Sequence, residues 1–92
     1  MRVAAVDIGS NSFHLLVADV HSDRSFTTVT REKEMLRLGD EVAKHGRVRR
    51  NAADRAVRSA RRLRELAESN GAVEIAAVAT AAIRSADNGS DL

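Results

Sequence analysis

Three short runs of apolar and β-branched residues open the chain, and a polar segment follows each of them. The runs cover residues 3–8, 13–20 and 26–34. The first two are mostly apolar, whereas the third partly alternates with charged residues, which is typical of a strand with one face in water. Because the links between the runs are short, the pattern predicts three strands in an antiparallel meander.

The period of the apolar positions changes in the second half of the chain. Between residues 51 and 70 these positions recur at helical spacing with arginines on the opposite face, which predicts a helix. Asn51 and Asp54 resemble a capping box at its start, although the start could also lie two residues earlier. Gly71 offers the left-handed residue that ends the helix. The apolar run at 73–79 then predicts a nearly fully buried fourth strand.

These elements together predict an α/β fold. A helix that connects two strands of one sheet favours a right-handed crossover, so the fourth strand is expected to lie parallel to the first. The segment 36–50 is interpreted as loop with one turn of helix. Thr80 offers a cap for a short helix that extends to Ala86.

Composition limits the size of the core and the chemistry available. The chain has 92 residues and only two aromatic ones, Phe13 and Phe26, which indicates one small domain with a thin core. The absence of cysteine excludes disulfides and thiolate chemistry and favours a reducing compartment. No apolar stretch approaches the ~20 residues of a membrane span. We therefore expect a soluble, cytoplasmic protein that contacts no membrane.

Positive charge is concentrated on the predicted helix, although the net charge is only +2. Eight arginines lie between Arg47 and Arg64, where Asp54 is the only acid. This surface could bind a polyanion, but an amphipathic helix needs a solvated face, and no aromatic residues alternate with the arginines for base stacking. Nucleic acid is therefore not the expected partner.

The candidate chemistry lies between the first two strands, in the segment Asp7-Ile8-Gly9-Ser10-Asn11-Ser12. Gly9 lets the backbone approach a ligand, and successive N–H groups of a tight turn can converge on an anion. Ser10 and Ser12 add hydroxyls and Asn11 an amide, while Asp7 could hold magnesium directly or through water. These residues suit a metal–phosphate site, but they also suit an ordinary hairpin turn. The segment is not a P-loop, because no lysine follows and the next element is a strand.

Other arrangements of catalytic residues are not favoured. The three histidines, His14, His21 and His45, show no metal-ligand spacing. A covalent serine mechanism at Ser12 is not expected, because the sequence indicates no histidine base beside it.

Residues 6–17, Val-Asp-Ile-Gly-Ser-Asn-Ser-Phe-His-Leu-Leu-Val, resemble the first phosphate-binding motif of the exopolyphosphatase/guanosine pentaphosphate phosphohydrolase (Ppx/GppA) family. Arg37-Leu38-Gly39 and Ala79-Thr80-Ala81-Ala82-Ile83-Arg84 resemble two later segments of that family in the same order. The similarity runs essentially from end to end. It implies a ribonuclease-H-like fold of the actin/sugar kinase superfamily, with residues 1–92 as the truncated amino-terminal part of one phosphatase domain.

The resemblance also implies roles for individual residues. Asp7 would hold Mg²⁺ or another divalent cation, or orient water. The phosphate-binding residues would be Gly9, Ser10, Asn11, Ser12 and Arg84. The catalytic glutamate of the family would lie beyond Leu92, so the resemblance implies no catalytic residue in this chain and no activity for the chain alone.

The activity implied by the resemblance is release of terminal phosphate from polyphosphate or guanosine pentaphosphate, catalysed by a homodimeric parent protein. In this reaction water attacks a phosphoanhydride, and catalysis is mostly positioning and charge neutralisation. The alternatives are an ATP-binding or phosphotransferase module of the same superfamily and an inactive basic interaction fragment. The Ser-Asn-Ser-Phe-His run disfavours the phosphotransferase, because sugar kinases of the superfamily carry Gly-Thr patterns there.

Overall fold

The computed structural model describes residues 1–79, which form six elements along the chain. These are β1 (Arg2–Ile8), β2 (Ser12–Val20), β3 (Phe26–Met35), α1 (Leu38–His45), α2 (Arg50–Ser69) and β4 (Glu74–Ala79). The strands form one sheet in the order β3-β2-β1-β4. β2 pairs antiparallel with both β1 and β3, whereas β4 pairs parallel with β1. The predicted meander, crossover helix and parallel fourth strand are confirmed; the helix predicted from Thr80 to Ala86 lies outside the described residues.

Helix α2 forms one layer of the core because its small and apolar residues recur on a single face. Its buried residues are Ala52, Ala56, Ser59, Leu63 and Ala67. The strand residues of the same core are Ala4, Val6, Phe13, Leu15 and Val17. Since successive residues of a strand point to opposite faces, the residues between these in β1 and β2 lie on the other side of the sheet.

The side of the sheet that α2 does not cover is called the open face below. Alternate residues of three strands lie on it, namely Val3, Ala5, Asp7, His14, Leu16, Arg31 and Lys33. Strand β4 lies at the edge of the described sheet, and its residues from Glu74 to Ala77 are exposed. The prediction of a nearly fully buried fourth strand was therefore wrong for these residues. An apolar run indicates a strand, but it does not determine which layers cover that strand.

The segment between β3 and α2 contains more helix than the sequence indicated. Helix α1 has eight residues, which is about two turns rather than one. Its N-cap residue, Arg37, has a left-handed backbone with φ 55° and makes no side-chain cap. The sequence therefore lacks the usual Ser, Thr, Asp or Asn signal for a helix start. Leu36, Leu38 and Val48 are buried and attach this segment to the core.

The two ends of α2 differ in how well the sequence predicted them. Its first residue is Arg50, and Asn51 does not form the predicted capping box: Asn51 Oδ1 accepts from the backbone N of Ala52 at 2.9 Å. At the other end Gly71 has φ 83°, so the predicted left-handed residue is confirmed. No helix among residues 1–79 is long and apolar enough to cross a membrane.

Glu41 of α1 and Arg49, the N-cap residue of α2, hold the two helices together. Glu41 Oε1 accepts from Arg49 Nη2 at 2.8 Å, and Glu41 Oε2 accepts from Arg49 Nε at 3.1 Å and from its backbone N at 3.2 Å. These hydrogen bonds, chiefly those from the Arg49 side chain, lower the pKa of Glu41 from 4.5 to about 2.

This pair predicts a pH-dependent contribution to stability. Because the pKa of Glu41 is lower in the folded chain, the contribution is complete above about pH 4.5 and is lost as the pH falls toward 2. Glu41→Gln should therefore lower the melting temperature at neutral pH, and its difference from wild type should shrink over that window. Hydrogen bonds also lower the pKa of Asp19 and of Asp23, so the diagnostic quantity is this difference. A difference that stays constant from neutral to acid pH would contradict the role of the pair.

Candidate functional site

The loop between β1 and β2 is a tight hairpin connection. The N–H of Gly9 donates to the carbonyl oxygen of Ser12 at 3.0 Å. A Cβ at position 9 would lie 2.6 Å from that same oxygen, closer than van der Waals radii allow. Glycine is required here by this close approach of two backbone segments.

A later segment of the chain holds the loop from one side. The N–H groups of Leu36 and Arg37 both donate to the carbonyl oxygen of Asn11 at 2.8 Å, and the N–H of Gly39 donates to the carbonyl oxygen of Ser10. These residues, Leu36–Gly39, are called the buttress below. The left-handed backbone of Arg37 turns the chain from β3 into α1 while Leu36 on one side and Gly39 on the other stay bonded to the loop. The Arg37-Leu38-Gly39 motif of the sequence therefore has a structural role at the site.

The buttress determines which way the loop amides face. In a trans peptide the C=O and the N–H point in opposite directions. Because the carbonyls of Ser10 and Asn11 point to the buttress, the N–H groups of Asn11 and Ser12 face away from it. Successive N–H groups on one side of a turn form a concave site for an anion. The predicted phosphate-binding residues Gly9, Ser10, Asn11 and Ser12 thus lie together in one loop, whereas Arg84 lies outside the described residues.

Next to the loop, a row of three polar side chains crosses the open face. Asp7 of β1 pairs in register with His14 of β2, and His14 pairs with Lys33 of β3. All three residues are exposed. An open depression of about 600 Å³ is lined by these three residues together with Ala5, Leu15, Leu16, Arg31 and Glu32.

His14 is a candidate functional residue that the sequence interpretation missed. A hydrogen bond of 2.9 Å joins Ser12 Oγ and His14 Nε2, so the expectation that Ser12 has no histidine beside it was wrong. Residues two apart in a strand lie on the same face, and this spacing was the available signal. Within residues 1–79 no hydrogen bond joins Asp7 to His14. The serine and histidine therefore form a pair without the carboxylate bond that orients the histidine of a catalytic triad.

Asp7 is the one predicted metal ligand. Among residues 1–79 there is no group of three or more His, Cys, Asp or Glu side chains that could hold a metal ion. Magnesium, however, is commonly bound by one or two carboxylates while phosphate oxygens and waters complete its coordination. The exposed carboxylate of Asp7 beside the loop fits a magnesium ion of that kind and does not fit a site built from protein ligands alone.

Several known proteins are similar to this chain. The model of the Ppx/GppA phosphatase family matches residues 16–92. Exopolyphosphatase 1 of Mycobacterium tuberculosis is 35% identical over all 92 residues, which are 27% of its own length. The guanosine-5'-triphosphate,3'-diphosphate pyrophosphatase of Vibrio vulnificus is 35% identical over 85 residues, 92% of this chain and 17% of that protein.

The same family appears among solved structures. The crystal structure of the Aquifex aeolicus member of the Ppx/GppA family matches 99% of this chain and 29% of its own with a TM-score of 0.89 and 30% identity. This likeness confirms the predicted fold. The chain thus spans 27% of the length of the Mycobacterium tuberculosis exopolyphosphatase and 29% of the chain in the Aquifex aeolicus structure.

The close approach at Gly9 predicts a specific loss when a methyl group is added. Gly9→Ala should force the hairpin open and lower the free energy of unfolding by about 1–3 kcal/mol. In NMR titrations we expect inorganic phosphate to shift the Asn11 and Ser12 amide signals of the wild-type chain, and we expect Gly9→Ala to abolish those shifts. Gly46→Ala is the control: Gly46 has φ 69° and open space around it, so it should lose about 1 kcal/mol and keep the phosphate response. A wild-type phosphate response in Gly9→Ala would refute the loop as the binding site.

Proposed function

The chain belongs to the Ppx/GppA phosphatase family, and we propose that it provides the phosphate-binding hairpin of a phosphohydrolase. The proposed reaction is release of the terminal phosphate of polyphosphate or of guanosine pentaphosphate. The observation that carries the proposal is the buttressed loop, whose Asn11 and Ser12 amides face one side with Asp7 and the Ser12 hydroxyl beside them. The family match and the names of the relatives support it.

In the proposed reaction the loop holds the phosphate that is transferred to water. The N–H groups of Asn11 and Ser12 and the hydroxyls of Ser10 and Ser12 donate to phosphate oxygens. Because the buttress fixes the loop before the substrate arrives, these donors need little reorganisation, which is the condition for effective electrostatic stabilisation. Phosphoryl transfer depends mainly on such positioning and charge neutralisation.

Asp7 would hold the divalent cation in this scheme. The exposed Asp7 carboxylate lies on the open face beside the loop, where it can reach a cation that also contacts the bound phosphate. When bound, magnesium would neutralise negative charge on the phosphate oxygens.

The chain by itself should not hydrolyse polyphosphate. Glu65 and Glu68 are exposed on α2, which packs on the opposite side of the sheet from Asp7, so neither can serve as a base at the loop. Loss of general-base help typically lowers a rate by about 10²–10⁴. We expect phosphate release from polyphosphate to equal that of the Gly9→Ala variant, with a full-length exopolyphosphatase as the positive control. Release above the variant's level would contradict this prediction.

The role proposed for Asp7 predicts an effect that changes sign with magnesium. Without divalent cations, Asp7→Asn should bind tripolyphosphate more tightly than wild type, because a charge that repels the anion is gone. With magnesium, wild type should bind more tightly than the variant by about fivefold, close to 1 kcal/mol. Both affinities can be measured by calorimetry.

An ordinary turn would give a different result. Asn and Asp substitute for each other in many turns. We therefore expect Asp7→Asn to leave the melting temperature almost unchanged, whether Asp7 binds a cation or only shapes the turn. If magnesium strengthens binding equally in the two proteins, Asp7 only shapes the hairpin.

A further inference from the structure

Two cations of β3 lie on the open face next to the phosphate loop. Lys33 is at the end of the row that begins with Asp7 and His14, and Arg31 follows two residues farther from the loop on the same face. Both are exposed, and no carboxylate among residues 1–79 lies within ion-pair distance of either. The acidic residues that alternate with them belong to the other face, where Glu34 pairs with Arg62 of α2.

The position of Lys33 is determined by the sheet. The row that contains Asp7 is two residues from Gly9, a distance of about 7 Å along the strand. Neighbouring strands lie about 4.8 Å apart, so Lys33 is roughly 10 Å across the sheet from Asp7 at the backbone. The four-carbon stem of a lysine can bring its ammonium group over the intervening His14. All three residues line the same open depression.

We propose that Lys33 binds a second phosphate group, adjacent in the ligand to the one held by the loop. This inference rests on the proposed function and adds to it a preference for chains of phosphates over a single phosphate. A lone phosphate on the loop amides does not extend over the row, whereas a linear anhydride places its next negative charge beyond the loop. The ammonium group of Lys33, which has no ion-pair partner among residues 1–79, can bind that second charge. Arg31 adds a further positive charge on the open face.

The composition of the chain makes a matched control possible. Only two lysines, Lys33 and Lys44, are present. Lys44 is exposed in the last turn of α1 and does not line the depression on the open face. Lys33→Met and Lys44→Met therefore make the same type of substitution, and each removes one positive charge from the chain. Only Lys33→Met removes a charge from the row.

The test is binding of inorganic tripolyphosphate and of inorganic phosphate to the full 92-residue chain in low-salt buffer without divalent cations. We expect wild type to prefer tripolyphosphate. Lys33→Met should weaken tripolyphosphate binding by about five- to tenfold, as expected for loss of one charge-assisted hydrogen bond, and leave phosphate binding within about twofold. Lys33→Arg should retain the preference, and Lys44→Met should resemble wild type. Circular dichroism of each variant verifies that it is folded.

The other outcomes separate the two proposals. If Lys33→Met and Lys44→Met weaken tripolyphosphate binding equally, only net charge matters and the role of Lys33 is refuted, while the phosphate loop stands. If Lys33→Met weakens both ligands equally, Lys33 belongs to the first phosphate position and the second position is refuted. If wild type binds neither anion, both the role of Lys33 and the phosphate loop fail.

Discussion

The hydrogen bonds from the buttress to the carbonyls of Ser10 and Asn11 are the constraint on which the site depends. They connect the hairpin to a segment that follows it by about 25 residues in the chain, so the loop takes its shape only when β3 and α1 are in place. They also determine that the amides of Asn11 and Ser12 face away from the buttress, since the C=O and the N–H of a peptide group point in opposite directions. The shape of the loop is therefore set by the fold itself, and the left-handed backbone of Arg37 is the feature that allows it.

The core and the open face depend on each other through the register of the strands. The alternation that buries Val6, Phe13 and Leu15 against α2 exposes Asp7 and His14 on the opposite face. A shift of one residue would exchange the two sets and bury a carboxylate and an imidazole. The cost of burying an unpaired charge thus favours the observed register, which places the polar row on the open face next to the loop.

The sequence predicts the strands and α2 well because their periods are regular and their lengths ordinary. Helix α1 was underestimated because Arg37 at its start carries none of the usual capping chemistry, and its left-handed backbone cannot be read from residue type. The N-cap of α2 is Arg49, two positions before the predicted Asn51, so the earlier start that the sequence also allowed is the one observed. Such an offset is the usual uncertainty of a helix end.

The components of the candidate site were predictable within one segment of the chain and not between segments. Asp7 and the loop residues are adjacent in sequence, and their chemistry is visible there. The buttress and the row from Asp7 to Lys33 depend on pairing between strands, which the sequence of one strand does not determine. The bond between Ser12 and His14 is intermediate: its two-residue spacing was visible, but a strand had to be assumed before that spacing had meaning.

The chemistry of the described part of the site suits phosphate groups better than it suits a nucleoside base. Its donors are mainly backbone amides, hydroxyls and cations, and neither phenylalanine lies beside the loop: Phe13 is buried against α2, and Phe26 is at the opposite end of β3. The imidazole of His14 does lie beside the loop, where its Nε2 is bonded to Ser12 Oγ. Base recognition needs a stacking surface or hydrogen bonds to the edges of the base. The two relatives named for different substrates, polyphosphate and a guanosine nucleotide, are equally identical to this chain at 35%. Under the proposed function, the hairpin and Lys33 distinguish the number of phosphates in a ligand rather than the group to which those phosphates are attached.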